Sequence, residues 1–143
     1  IGGILADILR KKFGPIWGRR IPGIVSGFIA AAIYVVALFT ENVWVFLGLM
    51  SIIYFLTDLG LGALWATYQD FGGKYVSSVL GFANMCGNLG AAAFAIVIGY
   101  LAEADRWPVV FMLSSGSFLI VASVWFFVDP THQLVPDEKQ AAG

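Results

Sequence analysis

One carboxylate stands inside a long apolar run. Asp58 lies near the middle of Asn42–Gln69 and is the single charged residue there. A carboxylate at the centre of a membrane helix costs roughly 2.5–3.5 kcal/mol on insertion scales, so it faces a cavity or a partner rather than lipid. Tyr54, Asp58, Leu61, Trp65 and Tyr68 are spaced four, three, four and three apart. On a helix that spacing gathers them on one face. The face reads as a cavity lining, with Asp58 as the candidate for ion coupling. The alternative is a structural Asp that is neutral or hydrogen-bonded. Gly60 and Gly62 let the helix bend nearby.

A second polar pair lies further on. Asn84 and Asn88 sit in Tyr75–Ala102, a run without charge. Two amides in a membrane helix must bond to another helix or face water. They read either as glue between helices or as groups that face a substrate. Beside them Ala83, Gly87, Ala91, Ala95 and Gly99 recur every four residues. Small residues at that spacing form a flat rib on which another backbone packs closely, as a static contact or a rocking one. Gly23 and Gly27 form a GxxxG pair of the same kind.

The elements that hold these residues follow from composition. Of 143 residues, 59% are hydrophobic and 12% charged, against about 25% charged in a typical soluble domain. The mean hydropathy is +0.86. The chain is therefore expected to be an all-α integral membrane protein, since open backbone cannot be satisfied in lipid. Four runs have the roughly 20 residues a crossing needs, at about 21–40, 43–69, 75–102 and 107–128. The apolar runs lack the short alternation of barrel strands. Gly72 and Gly73 stop the second span, Pro108 suits the first turn of the fourth, and Asp129-Pro130 ends it. Residues 1–20 read as the end of one helix and a basic loop, and residues 129–143 as a solvated tail.

Charge sets the direction. Gly2–Arg20 holds Arg10, Lys11, Lys12, Arg19 and Arg20, five of the eight Lys and Arg residues. With that loop in the cytoplasm, Lys74 and Lys139 join it there, while Arg106 stands outside with Glu41, Glu103 and Asp105. This is the bias that retention of cations on the cytoplasmic side produces. Loop 8–20 and the C-terminus are thus expected in the cytoplasm, at the plasma (inner) membrane. Trp44 and Trp107 open spans at the outer interface, and Trp125 closes one at the inner interface. No metal-ligand cluster, phosphate-cradling glycine loop or Ser/His/Asp set stands out, so no cofactor, no metal and no enzymatic activity are expected. The basic loop is too small and too close to the membrane for nucleic acid.

Gly3-Ile-Leu-Ala-Asp7, followed by basic residues that end at Gly18-Arg19-Arg20, resembles the loop signature of the major facilitator superfamily. The stretches Gly62–Gly73 and Gly81–Gly90 resemble the tenth and eleventh helices of its anion:cation symporter branch. The signature departs from the usual form, because Ile8 follows Asp7 where a basic residue is common. The resemblance implies a fragment running from the end of helix eight through helix twelve. Its four transmembrane helices would form part of the C-terminal six-helix bundle of a twelve-helix transporter. It implies that Asp7 latches onto a helix end of the opposite half, with Arg19 or Arg20 adding a charged clasp.

It further implies secondary active transport by alternating access. The substrate would be a small organic anion, a sugar acid or carboxylate, moved with H+ or Na+. Tyr54, Asp58, Trp65, Tyr68, Asn84 and Asn88 would line the cavity, with Asp58 as the coupling candidate. Gly3, Asp7, Arg10, Arg19 and Arg20 would make the signature, and Gly23, Gly27, Ala83, Gly87, Ala91 and Gly99 the packing surfaces. The partners would be the missing N-terminal part, the anion, the ion and the bilayer. A non-transporting four-helix interaction subunit is the alternative; it explains the spans but neither the Asp7 signature nor Asp58. A membrane-embedded enzyme would need a second catalytic group near Asp58, and the sequence offers none.

Overall fold

Glycine decides where the first helix turns. The computed structural model describes residues 2–129, with the side chains of residues 2–7 and 15 outside that description. Helix α1 runs Gly2–Leu38 but is broken at Gly14, whose φ of 86° and ψ of 173° are not helical. A side chain is strained at such a φ, and glycine is not. Past the break the chain doubles back closely. A methyl on Gly18 would stand 2.3 Å from the Arg10 Cα, so only hydrogen fits there. The basic stretch expected as a loop is thus helical on both sides of one corner. Gly14 alone carries the non-helical dihedrals, and the residues on either side of it are helical.

The remaining elements are helix α2 (Val43–Gly72), a 3-10 turn (Gly73–Tyr75), helix α3 (Val76–Glu103) and helix α4 (Trp107–Val124). Asn42 caps α2, its Oδ1 accepting from the backbone N–H of Trp44 at 2.9 Å and of Val45 at 3.3 Å. Pro108 lies in the first turn of α4, where its missing N–H costs nothing. The apolar stretch Val43–Glu103 has 61 residues. A straight helix of that length would measure roughly 90 Å, about three times a bilayer core. Gly73 interrupts it with φ 48° and ψ −125°. Asp105, at φ 55°, makes the turn into α4, a conformation that Asp tolerates better than most residues. No strand occurs among the described residues.

The packed core is α1 held between α2 and α4. Its buried hydrophobic residues are mostly small: Ala30, Ala31, Ala37, Ala63 and Ala122, with Ile53 and Val110 beside them. Trp125 is the one buried aromatic among the described residues, set against the bare backbone of Gly23. Gly27 faces Ala122 and the carbonyl of Phe118, and Gly60 of α2 faces the Ser26 hydroxyl. Close approach of backbones is how membrane helices gain van der Waals contact when lipid is as apolar as leucine. Polar atoms in this core are satisfied. Ser115 Oγ donates to the Ala31 carbonyl across the α1–α4 contact at 3.0 Å, and Thr67 Oγ1 donates to the Ala63 carbonyl at 2.9 Å. Tyr34 meets Phe111 and Phe118 at ring separations of 6.2 and 5.6 Å.

Helix α3 stands apart. It contributes no buried residue, and nothing lies within 4 Å of a methyl built on Gly81, Gly87, Gly90 or Gly99. The glycines of α1 and α3 thus differ sharply in what surrounds them.

The tight site gives a direct test. In the full-length protein, Gly23→Val is expected to lower stability by about 1–3 kcal/mol, the usual cost of overpacking. Gly48→Ala adds a methyl where nothing lies within 4 Å, and is expected to hold or raise the melting temperature. Thermal unfolding of both variants in detergent measures the contrast. Equal melting temperatures would remove the Gly23–Trp125 contact from the account.

Candidate functional site

Helix α2 has two unlike faces. The face toward α1 carries Ile53, Ala63 and Thr67, all buried. Asp58 is about 140° around the helix from Ala63, at about 100° per residue. It is exposed, as are Tyr54 at 75% and Trp65 at 43%, with Tyr68 half-buried. Tyr54, Asp58 and Trp65 therefore share the face turned away from the core, while Leu61 lines the crevice between α2 and the α1–α4 contact. Burial is not what surrounds Asp58 in this chain; its surroundings must be water, an ion or protein beyond the α1–α4 core, because lipid does not suit a carboxylate.

The lower end of that face opens into a cleft of about 620 Å³ where α2 meets α3. Tyr68, Phe71, Tyr75, Ser78, Val79, Phe82 and Ala83 line it. It brings Tyr68 of the α2 face together with Ala83 of the α3 rib. Asn84 and Asn88 are exposed on α3, and neither hydrogen-bonds to a helix of this chain among the described residues. Gly87, Ala91 and Gly99 are exposed as well, and among the described residues nothing lies within 4 Å of a methyl built on Gly87 or Gly99. Among the described residues no group of His, Cys, Asp and Glu is arranged to hold a metal.

Two arginines fasten the core at the same end, where α2 stops. Arg19 is 4% exposed, and its Nε donates to Asp70 Oδ2 at 3.0 Å. The pair joins α1 to the end of α2, with the Asp70 side chain 30% exposed. Arg20 Nε donates to the Val128 carbonyl at 2.6 Å, satisfying backbone just beyond α4, where a cation is favoured by the helix dipole. Arg20 also lies over the Trp17 ring at 5.7 Å. The signature arginines thus hold three elements of this chain together. The Arg10 side chain is exposed, while its backbone lies against Gly18. The side chain of Asp7, expected to latch onto another helix, lies outside the described residues, as do the contacts of Gly3. The sequence pattern does not single out Asp70, which lies 51 positions from Arg19; its charge, opposite to that of Arg19, is the one signal it offers.

A family profile described as Major Facilitator Superfamily matches residues 1–142. The chain belongs to the major facilitator superfamily. Curated relatives agree. It is 33% identical over 146 residues to a protein of Bacillus subtilis (strain 168) named "Probable galactarate/D-glucarate transporter GudP", an alignment covering 98% of this chain and 31% of the relative. It is 26% identical over 142 residues to the "Probable sulfoacetate transporter SauU" of Cupriavidus necator, covering 97% and 33%. It is 31% identical over 62 residues to the "Ascorbate transporter, chloroplastic" of Arabidopsis thaliana, covering 43% and 12%. No solved structure matches. The chain spans about a third of the length of the first two of these relatives. As a superfamily member it is an all-α, multi-pass membrane protein, which accounts for the many large apolar side chains left on its surface.

The clamp in this superfamily member can be measured. Asp70→Asn removes the carboxylate that the buried Arg19 Nε meets at 3.0 Å. The expected loss is about 1–3 kcal/mol, below the 3–5 of a fully buried pair because Asp70 is partly exposed. A thermal-unfolding double-mutant cycle of Arg19→Gln with Asp70→Asn in the full-length protein is expected to show coupling between them. Additive losses would mean that the 3.0 Å contact contributes nothing of its own.

Proposed function

We propose that the chain is the C-terminal third of a secondary active transporter that moves small organic anions by alternating access. Its α2 and α3 would be separate crossings that face the transport path. The carrying observation is the outward face of α2, where Tyr54, Asp58 and Trp65 stand exposed on the side opposite a well-packed core. A core of small residues fixes that helix, while its polar and aromatic side is left for a ligand or for the rest of the protein. The names of the relatives, which specify galactarate, D-glucarate and sulfoacetate, support an organic anion of the sugar-acid or carboxylate class.

In this reading Asp58 is the coupling group, exchanging H+ or binding Na+ as the cavity opens to each side. Asn84 and Asn88 supply amide hydrogen bonds to the solute. Neither α2 nor α3 carries a cationic side chain between Val43 and Gly72 or between Val76 and Glu103. A cation that clamps the anion therefore comes from outside these two helices. The corner at Gly14 and the Arg19–Asp70 clamp lie on the cytoplasmic side of the inner membrane, the orientation favoured by the cation bias. Asp7 would bind the opposite half of the transporter there.

The test uses the full-length protein in proteoliposomes, supplied with D-glucarate, galactarate and simpler carboxylates under an H+ or Na+ gradient. Gradient-driven uptake is expected for at least one sugar acid. Asp58→Asn is expected to abolish the gradient's effect while leaving solute exchange measurable. A variant with the wild-type rate and coupling would reject Asp58 as the coupling group. No flux across the whole panel would reject the transport class.

A further inference from the structure

Arg19 and Arg20 are committed to partners inside the chain, but the other cations of the corner are not. Arg10, Lys11 and Lys12 are exposed, and among the described residues none of the three forms an ion pair. Two aromatic side chains stand exposed beside them, Phe13 at 48% and Trp17 at 49%. Lys12 Nζ lies 5.5 Å from the Phe13 ring centre, and the Arg20 guanidinium 5.7 Å from that of Trp17. Trp17 is the second residue of the apolar stretch Ile16–Leu38. The close approach of Gly18 to Arg10 folds the cations back beside that point.

We infer that this corner is a binding site for the headgroup of an anionic phospholipid in the cytoplasmic leaflet, a reading that rests on the orientation proposed above. Each component has a reason to be there. Exposed Trp and Phe are poorly placed in bulk water, but their rings suit the headgroup layer at the start of a membrane helix. Three adjacent cations select a negative headgroup over a zwitterionic one, because each Lys or Arg near an anionic surface adds attraction. The long stems of Arg10, Lys11 and Lys12 can lie along the interface with their charges among phosphates. An acidic protein surface would satisfy the cations too, but it gives no reason for two exposed aromatic rings at the level where the apolar stretch begins. The close approach of Gly18 to the Arg10 backbone folds the corner back on itself, so the cations are presented together.

The experiment uses the full-length protein in detergent, with equimolar phosphatidylglycerol and phosphatidylcholine added and bound lipids counted by native mass spectrometry. Phosphatidylglycerol adducts are expected to exceed phosphatidylcholine adducts. The combined Arg10→Gln, Lys11→Gln and Lys12→Gln variant is expected to lose about tenfold in phosphatidylglycerol occupancy, with phosphatidylcholine unchanged. Equal binding of both lipids by the wild type would overturn the proposal, as would a variant that keeps the preference. A lower melting temperature with unchanged lipid adducts would assign the cations to a protein surface instead, and also overturns it. Should the variant fail to fold, the wild type still decides. Its preference is expected to fade as salt is raised, because the attraction is screened; a salt-independent preference counts against the site. Lipid counting needs no transport, so a failed flux assay leaves this result standing. The orientation is read separately, by the side from which Lys11→Cys in a Cys86→Ser background accepts an impermeant thiol reagent.

Discussion

Lipid does not drive helices together, and the rest of this structure depends on how the chain answers that constraint. With no gain from removing apolar surface from water, association rests on close van der Waals contact and shared polar bonds. Helix α1 meets it by being narrow where it is gripped. Gly23 admits the Trp125 indole, Gly27 admits Ala122, and Ala30 and Ala31 continue the same slim surface. The Ser115 hydroxyl then fastens α4 to the Ala31 carbonyl. Since α1 is flanked by both α2 and α4, the position of the Asp58 face is set from behind, by glycine and alanine rather than by anything the face itself contains.

The cytoplasmic end of the proposed topology uses a different physics. There, water and headgroups are near, and charged groups take over from small residues. Arg19 reaches α2 and Arg20 reaches the backbone after α4, from adjacent positions on α1. One turn of helix therefore fixes the ends of two others. This assigns the two arginines of the signature a role within their own half of the protein, beside any role across to another half.

Much of this was legible in the residues. The all-α membrane class followed from hydropathy, and the family from a short loop pattern and two glycine-rich stretches. The shared face of Tyr54, Asp58, Trp65 and Tyr68 was readable because helical period is local. Three things were not. A run of basic residues looks like a loop because charges are usual in loops; that it stays helical around Gly14 depends on one φ angle, which spacing does not encode. The Arg19–Asp70 pair joins residues 51 positions apart, and nothing local announces such a contact. The GxxxG of α1 and the rib of α3 looked alike as patterns. They differ only in whether a bulky partner such as Trp125 is presented to them, which is a property of tertiary arrangement.

The two residues that bound α3 share an unusual trait. Gly73 before it and Asp105 after it both hold positive φ angles, and the helix between them buries no side chain of its own. In mechanical language α3 is a strut hung between two joints. Rotating it disturbs two backbone dihedral settings and little packing, whereas displacing α1 would break the indole seat, the hydroxyl tie and both arginine contacts at once. Contact in this chain is therefore unevenly distributed: three helices that grip one another through buried side chains, and a fourth that lies against them without burying any of its own.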